Sequence, residues 1–160
     1  MMLSPTDAAY LAGFIDGEGC IAYREKVDGA HIVLEVVQTV RAPLDWAVEV
    51  TGCGRVTVRR EARANRRDVY HWKVYGMDEI CQILEAVRPY MKVKYAEATA
   101  MIVAGHLRKC RPSPGKKNPL YDQEHAAGAI VRGLKRPDSL EEMLAATMDL
   151  AADLRTKVRS

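Results

Sequence analysis

Apolar residues recur at every second position in four short stretches of the chain, and at helical spacing in the stretches between them. Alternation with a period of two is typical of half-buried strands, so the four stretches predict two β-hairpins. The predicted strands are Cys20–Val27 and His31–Val40, then Arg55–Arg59 and Val69–Val74. Asp28-Gly29, between the first two strands, is a strong hairpin-turn signal.

Helical segments lie before, between and after the hairpins. The first begins at Ser4 to Asp7, where cap-forming side chains and a proline come before the apolar residues. The predicted helices run from this signal to the glycines at 17 and 19, over Pro43–Val50 and Asp78–Val87, from Lys94 to His106, over Leu120–Leu134 and over Leu140–Val158. This order, α-β-β-α-β-β-α followed by C-terminal helices, predicts an α+β fold.

The alternation also sorts the strand residues onto two faces. Apolar side chains such as Leu34 and Trp72 are expected to face the helices, and polar ones the other way, since an antiparallel sheet can leave one face open. The outward positions carry Arg24, Lys26, His31, Arg55, Thr57, Arg59, His71 and Lys73, and the tip of the second hairpin adds Arg60, Arg63, Arg66 and Arg67. Such concentrated basic charge indicates a phosphate-binding surface, although a merely solvated hairpin has the same composition.

Length and composition limit the class of protein. At 160 residues with 48% apolar composition, the chain fits one domain. We expect a core over 1–109, a basic linker over 110–119 and C-terminal helices over 120–160. No apolar run approaches the roughly 20 residues that span a bilayer, and the N-terminal residues lack a signal-peptide pattern, so we expect an intracellular protein without a membrane partner. The four cysteines show no C-x-x-C spacing, which favours reduced, mostly buried thiols.

The end of the first helix is electrostatically unusual. Asp16 and Glu18 stand between glycines there, although the unpaired carbonyls of a helix C-terminus disfavour negative charge. A bound cation or a strongly basic partner would compensate the two acids. Gly17 and Gly19 are expected to permit left-handed backbone at the helix end and the close approach of another backbone segment.

The nine residues from Leu11 to Gly19, LAGFIDGEG, resemble the signature of the LAGLIDADG homing endonucleases in seven of nine positions, counting Glu18 in a slot that takes either acid. The resemblance implies an antiparallel four-stranded, saddle-shaped sheet backed by helices. One motif copy implies a homodimer, whereas two copies give a pseudo-symmetric monomer. The expected dimer interface comprises Leu11, Ala12, Gly13, Ile15 and Asp16.

This resemblance implies a site-specific DNA endonuclease that makes a double-strand break by metal-dependent hydrolysis at a long pseudo-palindromic target. The partner is then double-stranded DNA, and the location is the cytoplasm or the nucleoid, with an organelle left open. Mg²⁺ suits a site of one or two carboxylates completed by water and phosphate oxygens, with Mn²⁺ as an alternative ion. By resemblance, Glu18 is the metal ligand, helped by the backbone carbonyl of Gly17, and Asp16 is not the principal ligand.

The resemblance also implies a catalytic set. Gln38 stands where the family places a polar residue that orders the attacking water, although an ordinary strand-end glutamine fits the pattern equally well. Lys94 resembles the family's basic residue near the scissile phosphate. Lys92 takes that role if the register shifts by two residues, and Arg41 is a third basic candidate. The expected catalytic residues are therefore Glu18, Gln38 and Lys94.

Target reading is expected from the outward strand residues, because arginine can fork onto guanine and a two-stranded ribbon fits the major groove. The expected base readers are Arg24, Arg55, Arg59 and Lys73, and the expected phosphate contacts are Lys26, Arg60, Arg63, Arg66 and Arg67. Other members of the superfamily are cleavage-deficient DNA-binding regulators or intron RNA-splicing factors (maturases), and both remain alternatives. The third alternative is an interaction module whose basic hairpin only keeps it soluble.

Overall fold

The computed structural model describes residues 3–26, 29–60, 67–110 and 120–133, with the backbone alone at 25, 26 and 29–31. The helices are α1 (Pro5–Glu18), α2 (Ala42–Thr51), α3 (Met77–Val87), α4 (Tyr95–Lys109) and α5 (Tyr121–Gly133), with a 3₁₀ turn at Arg88–Tyr90. The strands are β1 (Gly19–Lys26), β2 (Gly29–Gln38), β3 (Arg55–Arg59) and β4 (Val69–Val74). The predicted α+β fold is confirmed, as is the order of elements as far as α5.

The strands form one antiparallel sheet in the order β1-β2-β4-β3. The two hairpins therefore join through β2 and β4. Leu34 of β2 lies opposite Ile21 on one side and Val74 on the other, and Trp72 of β4 lies opposite Val36. All five side chains are buried and pack into one core with the helices. The predicted inward face is confirmed at these positions, but Val58 of β3, also expected to face inward, is 47% exposed.

Two glycines allow helices to pack closely on their neighbours. A Cβ at Gly105 of α4 would lie 2.2 Å from the sulfur of Cys81 on α3, and a Cβ at Gly128 of α5 would lie 2.3 Å from the ring of Tyr23 on β1. Both distances are far below van der Waals contact, so a side chain at either position would force its neighbour to move. α5 therefore packs directly against β1, which is an edge strand of the sheet.

We expect Gly105→Ala to destabilise the protein by about 1–3 kcal/mol, because the new methyl group overpacks the interface between α3 and α4. Cys81→Ala removes the sulfur that this methyl group meets, so the double variant should recover most of the loss. Denaturant unfolding of the wild type, both single variants and the double variant measures the coupling. An equal effect of Gly105→Ala in both backgrounds would contradict the packing described above.

The helix ends agree with the sequence only in part. The Ser4 side chain accepts a hydrogen bond from the Asp7 N–H at 3.1 Å, and Gly52 ends α2 in the left-handed region with φ of 64°. The expectation of left-handed backbone at Gly17 and Gly19 is wrong, because Gly17 is helical within α1 and Gly19 is extended with φ of −84°. No other segment of the described chain approaches closely at these glycines: a Cβ at Gly19 would lie 2.5 Å from the carbonyl oxygen of Ile15 in α1 itself, and one at Gly17 would meet nothing within 4 Å.

Several predictions fall partly or wholly outside the described residues, namely residue 28 of the predicted turn at 28–29, residues 62–66 of the hairpin tip at 62–67, residues 111–119 of the linker at 110–119 and the last helix at 140–158. In the described part of the chain, no helix is long and apolar enough to cross a membrane.

All four cysteines are free, but only Cys81 is buried, so the expectation of mostly buried thiols is wrong. Burial raises the pKa of the Cys81 thiol to about 11.

Candidate functional site

The Asp16 side chain joins the C-terminal end of α1 to the start of α4. Its carboxylate accepts hydrogen bonds from the backbone N–H groups of Lys92 at 2.6 Å, Val93 at 3.1 Å and Lys94 at 2.9 Å. Asp16 is only 9% exposed, so these bonds replace water around its carboxylate. The donors lie directly before α4, where unpaired N–H groups and the helix dipole favour a negative charge.

This environment keeps Asp16 ionised. Burial raises the pKa of the Asp16 carboxyl, but the three backbone hydrogen bonds and the nearby Lys94 charge outweigh burial, so the pKa lies below its usual value. A metal ion or a second chain is therefore not needed to compensate this acid. The sequence did not reveal the compensating groups, because they stand 76 to 78 residues later in the chain.

Lys94 also reaches the end of α1 with its side chain. Its amine donates a hydrogen bond to the backbone carbonyl of Asp16, where the helix dipole favours a positive charge. Lys92 is exposed and contacts Asp16 through its backbone N–H. Arg41 is also exposed, and its guanidinium pairs with Asp45 at 3.0 Å. Of the three basic candidates, Lys94 is thus the one whose charged group is held at the end of α1.

Glu18 and Gln38 also lie near the C-terminal end of α1. Glu18 is the last residue of α1 and is exposed, and its carboxylate has no hydrogen-bond or ion-pair partner among the described residues. β1 begins at Gly19 opposite Val36, so Gln38 lies two residues further along β2, beside the end of α1. The fold therefore places the backbone positions of Glu18 and Gln38 near the end of α1 to which the Lys94 side chain is hydrogen-bonded.

The outward face of the sheet carries polar and basic residues in rows that cross the strands. One row consists of Cys20, Glu35, Lys73 and Arg55, and the next of Val37, His71 and Thr57. The exposed members of the predicted basic face are Arg24, Arg55, Thr57, Arg59, Arg60 and Arg67. Arg63, Arg66 and the side chains of Lys26 and His31 lie outside the described residues.

Glu35 belongs to this face but was not assigned a role from the sequence. Its Oε1 atom lies 2.7 Å from His71 Nδ1 and 2.9 Å from Lys73 Nζ, and the two basic side chains are 18% and 28% exposed. Burial raises the pKa of Glu35, whereas hydrogen bonds from Lys73 and His71 lower it more, so the pKa lies below its usual value. In the sequence, the signal that could have revealed Glu35 is an acidic residue at an outward strand position among basic ones.

Solved structures that superpose on this chain identify the fold. I-CvuI, solved in complex with the I-CreI target, superposes with a TM-score of 0.64 at 24% identity, over 91% of this chain and 95% of that one. The LAGLIDADG meganuclease I-AabMI, bound to uncleaved DNA, gives 0.59 at 20% identity, over 76% of this chain and 43% of that one. An archaeal intron-encoded homing endonuclease complexed with DNA gives 0.55 at 18% identity, over 92% and 98% of the two chains. The fold is that of the LAGLIDADG homing endonucleases. No protein-family model and no curated protein matches the chain by sequence.

In this LAGLIDADG fold, the motif helix α1 is divided between the core and the surface. Leu11, Ala12 and Ile15 are fully buried in the chain's own core, so their prediction as dimer-interface residues is wrong. The same applies to Asp16, whose side chain is bound to the segment before α4. Gly13 alone among the five predicted interface residues is exposed, because successive helix residues are about 100° apart and cannot share one face.

Proposed function

We propose that the chain is a site-specific DNA endonuclease that cuts both strands of a long pseudo-palindromic target as a Mg²⁺-dependent homodimer. The observation that carries the proposal is that the positions of Glu18 and Gln38 lie near the end of α1, where the Lys94 side chain is hydrogen-bonded. A basic sheet face lies beside them, in a fold that is shared with DNA-bound homing endonucleases. Such a substrate places the protein's action inside the cell, at the nucleoid, in the cytoplasm or in an organelle.

A second copy of the chain supplies the other half of the site. This chain matches 95% of the I-CvuI chain but 43% of the I-AabMI chain, as expected if the longer chain contains two such units. On α1, a Cβ added at Gly13 or Gly17 would meet nothing within 4 Å, so a second helix has room to approach closely. Tyr10 on α1 and Val93 beside its end are 56% and 72% exposed, and exposed apolar side chains of this kind suit a protein interface.

We expect Gly13→Leu to yield monomer or aggregate and to abolish double-strand cleavage, because it inserts a large side chain where two helix backbones meet. The fold of the single chain should persist, since position 13 has open space around it. Ala42→Leu, at an exposed position on α2, is the matched control and should remain dimeric. Sedimentation and circular dichroism measure both effects. A monomeric wild type that still cuts both strands would refute the dimer.

The end of α1 offers oxygen ligands that fit Mg²⁺. Glu18 has an unpartnered carboxylate among the described residues, and the neighbouring Gly17 is exposed. In the described ranges, no three His, Cys, Asp or Glu side chains form a metal-binding cluster. The twin Glu18, water and phosphate oxygens would therefore complete the shell, as Mg²⁺ prefers. When bound, the ion would polarise the phosphate and a water molecule, and Mn²⁺ should substitute for it.

The chain's own residues would supply the remaining functions. The Gln38 amide, at the end of β2, would orient the attacking water. The Lys94 ammonium would stabilise the negative charge that develops on the phosphate, and electrostatic stabilisation of this kind requires that the charge is already in place. Asp16 meets that requirement, because three hydrogen bonds fix the backbone at Lys92–Lys94 before substrate arrives.

The outward sheet face would bind the target. Arg24, Arg55 and Arg59 stand at outward strand positions and are exposed, so they are placed to reach guanine edges in the major groove. Phosphate contacts are assigned to Lys26, Arg60, Arg63, Arg66 and Arg67, and further polar contacts to His31 and Thr57. Lys73 has its charge engaged by Glu35, so its role as a base reader depends on that pair.

The test is incubation of the protein with a randomised duplex library and Mg²⁺, followed by sequencing of the cut ends. The proposal predicts ends that share one pseudo-palindromic sequence, and no cut ends when Glu18→Gln replaces the wild type. Sequence-selective binding without any cutting would favour the cleavage-deficient regulator. Preferential binding of structured RNA over every DNA pool would favour the maturase.

A further inference from the structure

The Glu35, His71 and Lys73 cluster on the outward face is half-buried and internally paired. Glu35 and Lys73 lie opposite each other on β2 and β4, and His71 lies in the next row. His71 Nδ1 and Lys73 Nζ both contact the same oxygen, Glu35 Oε1, at 2.7 Å and 2.9 Å. A side chain held in this way has already lost its rotational freedom, which favours precise recognition over loose phosphate binding.

The acid determines which histidine nitrogen carries the proton. The pKa of Glu35 lies below its usual value because hydrogen bonds from Lys73 and His71 outweigh burial, so its carboxylate is ionised and only accepts hydrogen bonds. The 2.7 Å contact therefore requires a proton on His71 Nδ1. In the neutral ring, Nε2 is then an unprotonated acceptor.

This acceptor is open to a ligand. Nε2 has no partner among the described residues. Nε2 is not among the buried side-chain atoms of the described residues that lack a hydrogen-bond partner, and the His71 side chain is 18% exposed. The outward neighbours of His71 on β4 and β3 are Val69, Lys73, Arg55, Thr57 and Arg59, none of which is an acid.

We propose that Glu35 is a positioning residue that presents His71 Nε2 as a hydrogen-bond acceptor, so that His71 selects a base with a major-groove amino group, adenine or cytosine. The proposal rests on the proposed DNA-binding function and goes beyond it, because basic side chains alone favour guanine. Glu35 pairs with Cys20, two residues after Glu18. The selected base therefore lies toward the cleavage centre of each half-site rather than at its outer end.

The experiment is selection of bound duplexes at pH 8 with chelator present, using the wild type, Glu35→Gln and His71→Ala. The wild type should enrich adenine or cytosine at one inner position of each half-site. Both variants should lose this preference at that same position and retain the others. Arg24→Ala, further along β1 from Glu18, is the control and should alter a different position. Loss of preference at two unrelated positions would contradict the proposal, as would a wild-type preference for guanine at the inner position.

A base analogue gives a readout that does not depend on the folding of a variant. Replacing the selected base by one without its amino group should weaken wild-type binding roughly tenfold to a hundredfold. The same replacement should change Glu35→Gln binding little, since the acceptor is no longer oriented. Equal weakening of both proteins would overturn the positioning role while leaving the proposed function intact. Absence of any selective binding by the wild type would overturn both.

Discussion

Glu18→Gln should lower strand cleavage by orders of magnitude and leave DNA binding in chelator unchanged or tighter. Glutamine keeps the shape of the side chain but removes the charge that would hold a divalent ion. Glu18 is exposed and has no partner among the described residues, so its replacement should not disturb the fold. Binding should hold or tighten because a negative charge facing the phosphates has gone.

Cleavage of the selected target and a binding titration in chelator measure the two effects separately. Glu49→Gln is the matched control, because Glu49 is also an exposed helix acid but lies on α2, away from the end of α1. It should cut like the wild type. Full cleavage by Glu18→Gln would remove Glu18 from the mechanism, and cleavage by the wild type in excess chelator would remove the metal.

Asp16→Asn should destabilise the protein by about 3 kcal/mol. It should also cleave more slowly than the wild type at temperatures where the variant remains folded. Asparagine has one acceptor oxygen, whereas the aspartate carboxylate uses both of its oxygens to accept hydrogen bonds from three backbone N–H groups. Leaving buried donors unsatisfied costs about 1–3 kcal/mol for each. The segment that carries Lys94 would also lose its anchor. Thermal unfolding and single-turnover cleavage check the two effects.

Asp45→Asn is the control for Asp16→Asn, because the Asp45 side chain is 51% exposed in its pair with Arg41. Exposed pairs contribute little, so the change should stay within about 1 kcal/mol. Similar losses for the two variants would mean that the three hydrogen bonds to Asp16 do not stabilise the fold.

The wild type should also lose stability in acid through Asp16. Its folded pKa lies below the usual value of 3.8, so the folded state binds fewer protons than the unfolded state. The stabilisation is therefore present above about that pH and is lost as the pH falls through the folded pKa. Asp16→Asn should flatten this part of the stability profile, which a series of unfolding curves between neutral and acidic pH would show.

Local physical chemistry made much of the fold predictable. Successive side chains of a strand point to opposite faces of the sheet, so period-two alternation predicts which residues face the core. Trp72 and Leu34 are buried on the predicted side. Ser4 caps α1 and Gly52 ends α2 because capping depends on neighbouring residues only. The LAGFIDGEG motif is contiguous and identified the fold, and it placed Glu18 at the end of α1.

Other features depend on contacts between distant parts of the chain, and only the tertiary structure decided them. The motif does not reveal which face of α1 is buried, so Leu11, Ala12 and Ile15 were assigned to a dimer interface although they fill the core. Asp16 is bound by backbone groups before α4, and N–H groups have no sequence signature. The pairing of β2 with β4 places Glu35 beside His71 and Lys73. Strand order sets such neighbours, and periodicity within a strand does not determine strand order.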